Sequence, residues 1–502
     1  VQARLFWILA AGLGALIGHA NPWLQLPPAV LLLPASLAAL GMAAPGPKAA
    51  FKQAWLAGTL ASLACLYWVY WPVNHFGGVH WLLALPVPVL LAMAMAVYHG
   101  LFGLVSHVSH RRLPPLAALF AMAVAWLALE LATGTLLSGF PWLTLAGAFT
   151  PWPLFIQAAA WIGAYGLSAV YALMAVGLLL TPRSRACAAV ALVAGMAVAG
   201  AGWQRMAAYV ETTPGHRVSV VQGNIDQSLK WDPAYQQATV DKYLRLSRKV
   251  LAEDRPELIV WPETSMPFYF QDPSLLRVPV LDFQRESGAS LLLGSPAYNR
   301  KGARGYTLFN RAFLLTSGGA APQWYDKEHL VPFGEYMPLA DILPFEKLVE
   351  GVGDFAPGLN THALKSGDLA LGVLLCYEAI FAGQAQKRVE QGANLLVNIS
   401  NDAWFGMTSA PLQHLHLTAL RAVEQDRWVV RGTNTGISAF IDPLGRIRTA
   451  GPQFQDLAAS GVVHARSDLS PFHRLYGTLL WTAGALCVLA ALLTVLAGRR
   501  KT

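Results

Sequence analysis

Charge is distributed along this chain in a way that few folds can accommodate. Asp, Glu, Lys and Arg make up 13% of the 502 residues, while 55% are apolar. Soluble domains carry about 25% charged residues. The deficit is local. Before about residue 205, apolar runs recur near 5–17, 23–43, 53–71, 80–105, 114–133, 153–180 and 186–203. From about 216 to 470 the composition is ordinary, and 473–497 is apolar again. About 20 apolar residues in a helix match the hydrocarbon thickness of a bilayer. The pattern predicts a transmembrane domain over 1–210 with about seven helices, a water-exposed domain over 216–470, and a last transmembrane helix at 473–497. The first run has the length of a signal-peptide core, but similar runs follow at once, so it reads as a retained span.

Lys and Arg set the expected orientation. Lys48 and Lys52, Arg111 and Arg112, Arg183 and Arg185, and the terminal Arg499-Arg500-Lys501 fall on alternate connections, all on one side, and Arg4 agrees. The connections near 19–22, 72–79 and 134–152 contain no Lys or Arg. The positive-inside rule then places both termini in the cytoplasm and 216–470 outside it, in the periplasm of a bacterium with two membranes. The excess of +8 is accounted for by these loops and does not point to nucleic acid. The segment 134–152, with Gly139-Phe140-Pro141-Trp142, is too broken by Gly and Pro to span. It is expected as an interfacial or re-entrant loop beside the polar domain.

Within 216–470, short apolar strands alternate with helices and then pair as hairpins. Strands are expected at 216–224, 257–261, 290–294, 307–316, 323–327, 371–375, 394–400, 428–433 and 437–442, and helices at 233–253, 274–287, 382–391 and 411–426. This order predicts a layered α/β sandwich. No glycine-rich nucleotide motif, CxxC pair or metal-ligand spacing is present. Gln413-His414-Leu415-His416 is not read as a metal site, because helix positions two apart face different ways. No cofactor and no metal are expected.

Three strand ends carry reactive side chains: Glu263 in Trp-Pro-Glu-Thr, Lys327 in Tyr-Asp-Lys-Glu-His, and Cys376 in Leu-Leu-Cys-Tyr-Glu. Cys65, Cys187 and Cys487 lie in apolar runs, so Cys376 is the one thiol of the polar domain. Each residue alone also has an ordinary reading. Cys376 suits a core, Glu263 a helix cap after Pro262, and Lys327 a solvated surface. Together they define a plausible chemistry. A free thiol is mostly protonated at neutral pH. A nearby carboxylate takes its proton, and an ammonium favours the thiolate and an oxyanion.

The ordered Glu, Lys and Cys resemble the triad of the nitrilase superfamily over roughly 216–465. With the flanking spans, and with Lys230-Trp231-Asp232-Pro233, Pro332-Phe333-Gly334-Glu335-Tyr336 and Ser400-Asn401-Asp402-Ala403-Trp404-Phe405-Gly406, the chain resembles the membrane-embedded apolipoprotein N-acyltransferase family throughout. The resemblance implies an α-β-β-α sandwich beside about eight transmembrane helices. It implies Glu263 as general base and acid, Lys327 as stabiliser of thiolate and oxyanion, and Cys376 as nucleophile. Glu335, Tyr377, Glu378 and Trp231 are implied as supporting residues. The implied donor is a membrane phospholipid, typically phosphatidylethanolamine. The implied acceptor is the α-amino group of an apolipoprotein's S-diacylglyceryl-cysteine, reached through a thioester in ping-pong order at the bacterial inner membrane.

Other expectations concern the surroundings. Arg421, Glu424 and Arg427 read as helix-surface pairs. Asn401, Asp402, Trp404 and Phe405 read as pocket lining or as a turn. The apolar stretch from Pro338 to Pro357 reads as a lid at the membrane surface, with glycines at 351, 353 and 358 as hinges. Two other functions fit less well. A membrane-anchored amidase does not need so many spans. A carrier with a degenerate domain would show more intramembrane charge than Glu130 supplies.

Overall fold

The structure is a computed structural model describing residues 2–301, 305–318, 320–338, 354–359 and 362–499. Five helices, Pro47–His75, Trp81–Arg112, Pro115–Ser138, Ala159–Leu179 and Arg185–Ala208, are long and apolar enough to cross a membrane. The shorter apolar helices Gln2–Gly18 and Pro27–Ala43 pack with them. A 29-residue helix, Pro471–Arg499, closes the chain. Each apolar run of the sequence is therefore helical. Close helix approach rests on small residues: a Cβ on Gly103 would lie 2.3 Å from the Ala54 Cβ. The run near 153–180 opens with the short helix Pro153–Ile156 and continues as Ala159–Leu179, which is kinked at Gly163 (φ 69°).

Among the described residues the polar domain holds twelve strands in two six-stranded sheets. They are β1 (Gly215–Gln222), β2 (Leu258–Val260), β3 (Ser290–Lys301), β4 (Gly305–Leu315), β5 (Gln323–Asp326), β6 (Leu364–Ser366), β7 (Leu369–Leu375), β8 (Leu395–Ser400), β9 (Val429–Thr433), β10 (Ala439–Ile441), β11 (Ile447–Ala450) and β12 (Leu457–His464). The orders are β12-β1-β2-β3-β4-β5 and β11-β10-β9-β8-β7-β6. In each sheet three adjacent strands are parallel, β1-β2-β3 and β7-β8-β9. Parallel strands buried on both faces read as unbroken apolar runs, which is why Leu258–Val260 and Leu369–Leu375 were legible. Strands β6, β11 and β12 add to the expected set. Their residues are half-exposed or few, so alternation carried little signal.

The sheets face each other across a core that includes Val220, Leu292, Leu371, Val397 and Val430. Helices Pro233–Asp254 and Val278–Ser287 cover the outer face of the first sheet. Helices Ala382–Glu390 and Ala410–Gln425 cover that of the second. This is the expected α-β-β-α layering.

The membrane helices and this domain share a core: Tyr377, Ile380, Phe381, Leu417 and Leu420 belong to the same apolar cluster as Leu66, Phe102 and Leu167. Segment 134–152 makes the junction. The Tyr377 hydroxyl donates to Gly139 O (2.8 Å) and Trp142 Nε1 donates to Gln413 Oε1 (2.7 Å). Glu130 holds the segment from the helix side, accepting from Trp126 Nε1 (2.9 Å) and Leu145 N (3.1 Å). Of the stretch read as a lid, 339–353 lie outside the described residues, including Leu339, Ile342, Leu343, Phe345, Leu348, Val349, Gly351, Val352 and Gly353.

One glycine ties the fold to the strand end carrying Glu263. A Cβ at Gly294 would meet Thr264 N at 2.5 Å and the Glu263 Cα at 2.7 Å. Gly294→Ala must push the Glu263 turn off its strand. The expected outcome is an activity loss of roughly a hundredfold for a displacement near 1 Å, measured as turnover of purified protein. The two-sheet core should persist by circular dichroism.

Candidate active site

The C-terminal ends of β2, β5 and β7 converge, and each delivers one side chain. After β2 the chain turns through Trp261 and Pro262 to Glu263, with Trp261 Nε1 bonded to Ser247 Oγ (2.8 Å). After β5 comes Lys327. Its strand is fastened by a buried two-point ion pair between Arg311 and Asp326 (2.6 and 2.8 Å) on facing register positions. After β7 the backbone turns sharply at Cys376, whose φ is +48°. A non-glycine residue rarely adopts this region, at a cost of roughly 1–3 kcal/mol. Such an elbow lifts a nucleophile off the sheet edge, with the next N–H beside it.

Lys327 is 1% exposed. Its ammonium lies 2.9 Å from Glu335 Oε2 and 3.5 Å from Glu263 Oε1. A buried cation is tolerated only when paired. Burial pulls its pKa down, but Glu335 and then Glu263 hold it well above the usual lysine range. The nearer partner is Glu335, so Glu263 is the less committed carboxylate. Asn310 Nδ2 bridges the two, at 2.7 Å from Glu263 Oε1 and 2.8 Å from Glu335 Oε1. Asn401 N–H fixes the other Glu263 oxygen at 2.9 Å. Glu335 Oε2 also accepts from Val331 N (2.8 Å).

The thiol of Cys376 is buried with this cluster. Burial first, and then Glu263, push its pKa up, while Lys327 and a contact with Ser400 oppose them. Glu263 is the carboxylate whose charge acts most on the sulfur, and so the group placed to take its proton. This cluster can run nucleophilic acyl chemistry.

Glu378 does not face the thiol. Fully buried, it accepts four hydrogen bonds: from Tyr325 Oη (2.7 Å), Glu328 N (2.8 Å), His329 N (3.1 Å) and Leu375 N (2.7 Å). Burial raises its pKa, against the charge of Arg388 and these donors. It thus clamps the segment after Lys327 to the residue before Cys376. Tyr377 turns toward the membrane helices, stacked near Phe140 and edge-on to Phe381. Trp231 lies half-buried in the turn before helix Pro233–Asp254. It is the preceding residue, Lys230, that reaches inward. Lys230 is 1% exposed, its Nζ lies 3.5 Å from Glu263 O, and burial lowers its pKa to about 7 against the pull of Glu263.

The structure therefore brings Glu263, Lys327, Glu335 and Cys376 together, with Glu378 and Tyr377 bracing the elbow and Trp231 at the margin. Asn310 and Lys230 are not among the site residues expected from the sequence, and Asn401 is expected there only as pocket lining or a turn. Asn310 and Asn401 carry only an amide in or after a strand. Lys230 gave one weak signal, a lysine beside an aromatic residue before a helix. Arg421, Glu424 and Arg427 depart from expectation. All three are buried, Arg421 paired with Glu424 at 3.0 Å and Arg427 bonded to Ala393 O at 3.0 Å. Their helix and its flank lie between the sheet and the membrane helices, where a charged residue must be internally satisfied. Among the described residues no group of His, Cys, Asp and Glu has metal-site geometry.

A cysteine elbow flanked by a carboxylate and an ammonium from neighbouring sheet ends defines a protein of the carbon–nitrogen hydrolase class. The family model described as "Carbon-nitrogen hydrolase" matches residues 217–467. A second, "Apolipoprotein N-acyltransferase N-terminal domain", matches 13–177. Apolipoprotein N-acyltransferase of Geobacter metallireducens is 38% identical over 91% of this chain and 88% of its own length. That of Pseudomonas putida is 34% identical over 98% and 96%, and that of Nitrosomonas europaea 33% over 99% of each. The chain belongs to the apolipoprotein N-acyltransferase family and is a membrane-embedded acyltransferase.

The electrostatics of the cluster make opposite predictions for its two charged neighbours. Glu263→Gln removes the negative charge that raises the thiol pKa, so alkylation of Cys376 by iodoacetamide should reach half its maximal rate at lower pH. Lys327→Met should move that midpoint up by about 1 unit or more. Rates measured from pH 6 to 10 on a protein whose other cysteines are serine check both signs.

Proposed function

We propose that the chain N-acylates the S-diacylglyceryl-cysteine of apolipoproteins with an acyl chain from a membrane phospholipid, through a thioester on Cys376. The observation that carries this reading is a buried thiol at a strand-end elbow with the Glu263 carboxylate and the buried Lys327 ammonium, set where the sandwich joins the apolar helices.

In the first half, Glu263 takes the thiol proton as sulfur attacks the ester carbonyl. The oxyanion is stabilised by Lys327 and the Tyr377 backbone N–H. Collapse breaks the acyl C–O bond. Glu263 returns the proton to the departing glyceryl oxygen, and a lysophospholipid leaves. In the second half, the lipoprotein's α-amine attacks the thioester and gives a proton to Glu263. The C–S bond breaks and the thiolate recovers the proton. The thioester is activated enough to acylate an amine, so no nucleotide is consumed. Glu335 keeps Lys327 in place, Glu378 keeps the elbow registered to the lysine segment, and Trp231 borders the entrance. Phosphatidylethanolamine is the donor we favour.

The same reading assigns 1–210 as a membrane unit of about seven spans, 216–470 as the catalytic domain and 473–497 as the eighth span. It places the protein in the bacterial inner membrane, with the catalytic domain periplasmic and both termini cytoplasmic. Contacts of Arg183 with His110 and of Arg111 with Ala44 support it, because they gather the basic connections at one end. Gln25 bonds Ala148 O at 3.2 Å among the uncharged connections near the catalytic domain.

Incubation with phospholipid labelled in its acyl chain should leave a hydroxylamine-sensitive label on Cys376, chased onto a diacylglyceryl peptide with a free amine. Cys376→Ala should carry no label. Release of ammonia from small amides without an acyl adduct would sink the reading in favour of an amidase.

A further inference from the structure

Behind the Cys376 elbow lies a buried polar cluster that the roles above leave unused. His414, on helix Ala410–Gln425, is fully buried, and its Nε2 lies 3.0 Å from the Cys376 carbonyl oxygen. That oxygen only accepts, so Nε2 carries the proton. His414 Nδ1 faces Arg431 Nη2 at 3.1 Å and Asp402 Oδ1 at 3.2 Å. Asp402 already has its donors: the Ser400 hydroxyl on Oδ1 (2.6 Å) and Arg431 on Oδ2 (2.6 Å). Burial and then Arg431 hold the imidazole pKa below its usual value, with Asp402 opposing. Nε2–H is thus aimed at the elbow, and Nδ1 is held between Arg431 and Asp402.

The remaining partners close the cluster. Asn398 Nδ2 gives a weaker second bond to Cys376 O (3.4 Å) and a firm one to Leu374 O (2.8 Å). Arg431 binds Asn398 Oδ1 in turn. The β7–β8 register pairs Leu375 with Ile399, which sets Ser400 beside Cys376 on the neighbouring strand. The rings of Trp142 and Phe405 cover His414, at 5.6 and 6.3 Å. These bonds act on a non-glycine residue whose backbone sits in the left-handed region, with φ +48°. A carbonyl at such a turn rotates with the peptide that carries the next N–H. Whatever holds the Cys376 carbonyl also aims the Tyr377 N–H.

We propose that His414 is a positioning residue for the nucleophile. Its Nε2–H, donated to the Cys376 carbonyl and oriented by Arg431 and Asp402, holds the elbow so that the sulfur and the Tyr377 N–H keep their aim at one carbonyl carbon. The part concerning the N–H rests on the acyl-transfer reading, whereas the part concerning the sulfur does not.

The test compares three replacements in the full-length protein. The amide nitrogen of Gln reaches the position of Nε2, that of Asn stops at Nδ1, and Leu has no donor. Single-turnover thioester formation from labelled phospholipid is read at saturating lipid. His414→Gln should stay within about threefold of the parent. His414→Asn and His414→Leu should fall on the order of ten- to a hundredfold in rate, as expected for a misaimed nucleophile, with half-saturation by lipid unchanged. The pH midpoint of Cys376 alkylation, which needs no lipid, should rise in Asn and Leu and stay in place in Gln.

Equal losses in all three, unchanged rates in all three, or failure of all three to reach the membrane folded would overturn the proposal and leave His414 a core residue. Should Leu alone fail to fold, the contrast of Gln with Asn decides. If the parent forms no thioester, the acyl-transfer reading falls, and the alkylation midpoints still decide whether His414 holds the sulfur.

Discussion

A single buried ammonium organises the polar domain. Lys327 is nearly inaccessible, and an isolated charge there would cost several kcal/mol. Its compensation draws in three other segments: Glu335 from the segment that follows β5, Glu263 from the end of β2, and Asn310 from β4 to bind both carboxylates. Arg311 with Asp326 fixes the strand that presents the lysine, and Glu378 fastens the residues after it to the cysteine strand. The two sheets are thereby locked together at the end where the thiol emerges. Burial first, and then the nearby Glu263, push the thiol pKa up, with Lys327 opposing.

Much of this was legible in the sequence, for identifiable reasons. Apolar runs longer than 15 residues became helices, because a bilayer-length segment has few other solutions. Strands buried on both faces stood out as dense apolar runs, and two of them lead to Glu263 and Cys376, while the half-exposed edge strand Gln323–Asp326 leads to Lys327. Edge strands such as Ile447–Ala450 and Leu457–His464 did not stand out, because half-exposed residues have no strong pattern. Asn310, and the contact of Asn401 with Glu263, escaped for another reason. An amide that bridges two carboxylates and a backbone N–H that fixes a third oxygen depend on tertiary geometry, which no local signal encodes. Arg421 and Glu424 were misread because helix spacing shows that two charges can pair and not which side of the helix is buried.

The proposed chemistry also requires an environment that spares the thioester from water. Cys376 is followed at once by Tyr377, which is built into the core of the membrane helices. Its hydroxyl is bonded to Gly139 O, and its ring lies among Phe140, Phe381 and His329. The loop that receives it is held by Glu130 through Leu145 N, and by Trp142 and Trp68 through the shared Gln413 Oε1. Moving the helices would therefore move the residue proposed to supply the oxyanion N–H. In a soluble sandwich of this class that face would meet solvent, and a thioester there would be hydrolysed. Here the same face is continuous with apolar helices, so under the proposed chemistry an acyl chain on Cys376 would stay beside hydrocarbon while the carbonyl stayed in the polar cluster. Whether such an enzyme transfers or hydrolyses is then decided by what covers the elbow, because the acid, base and nucleophile serve both outcomes equally well.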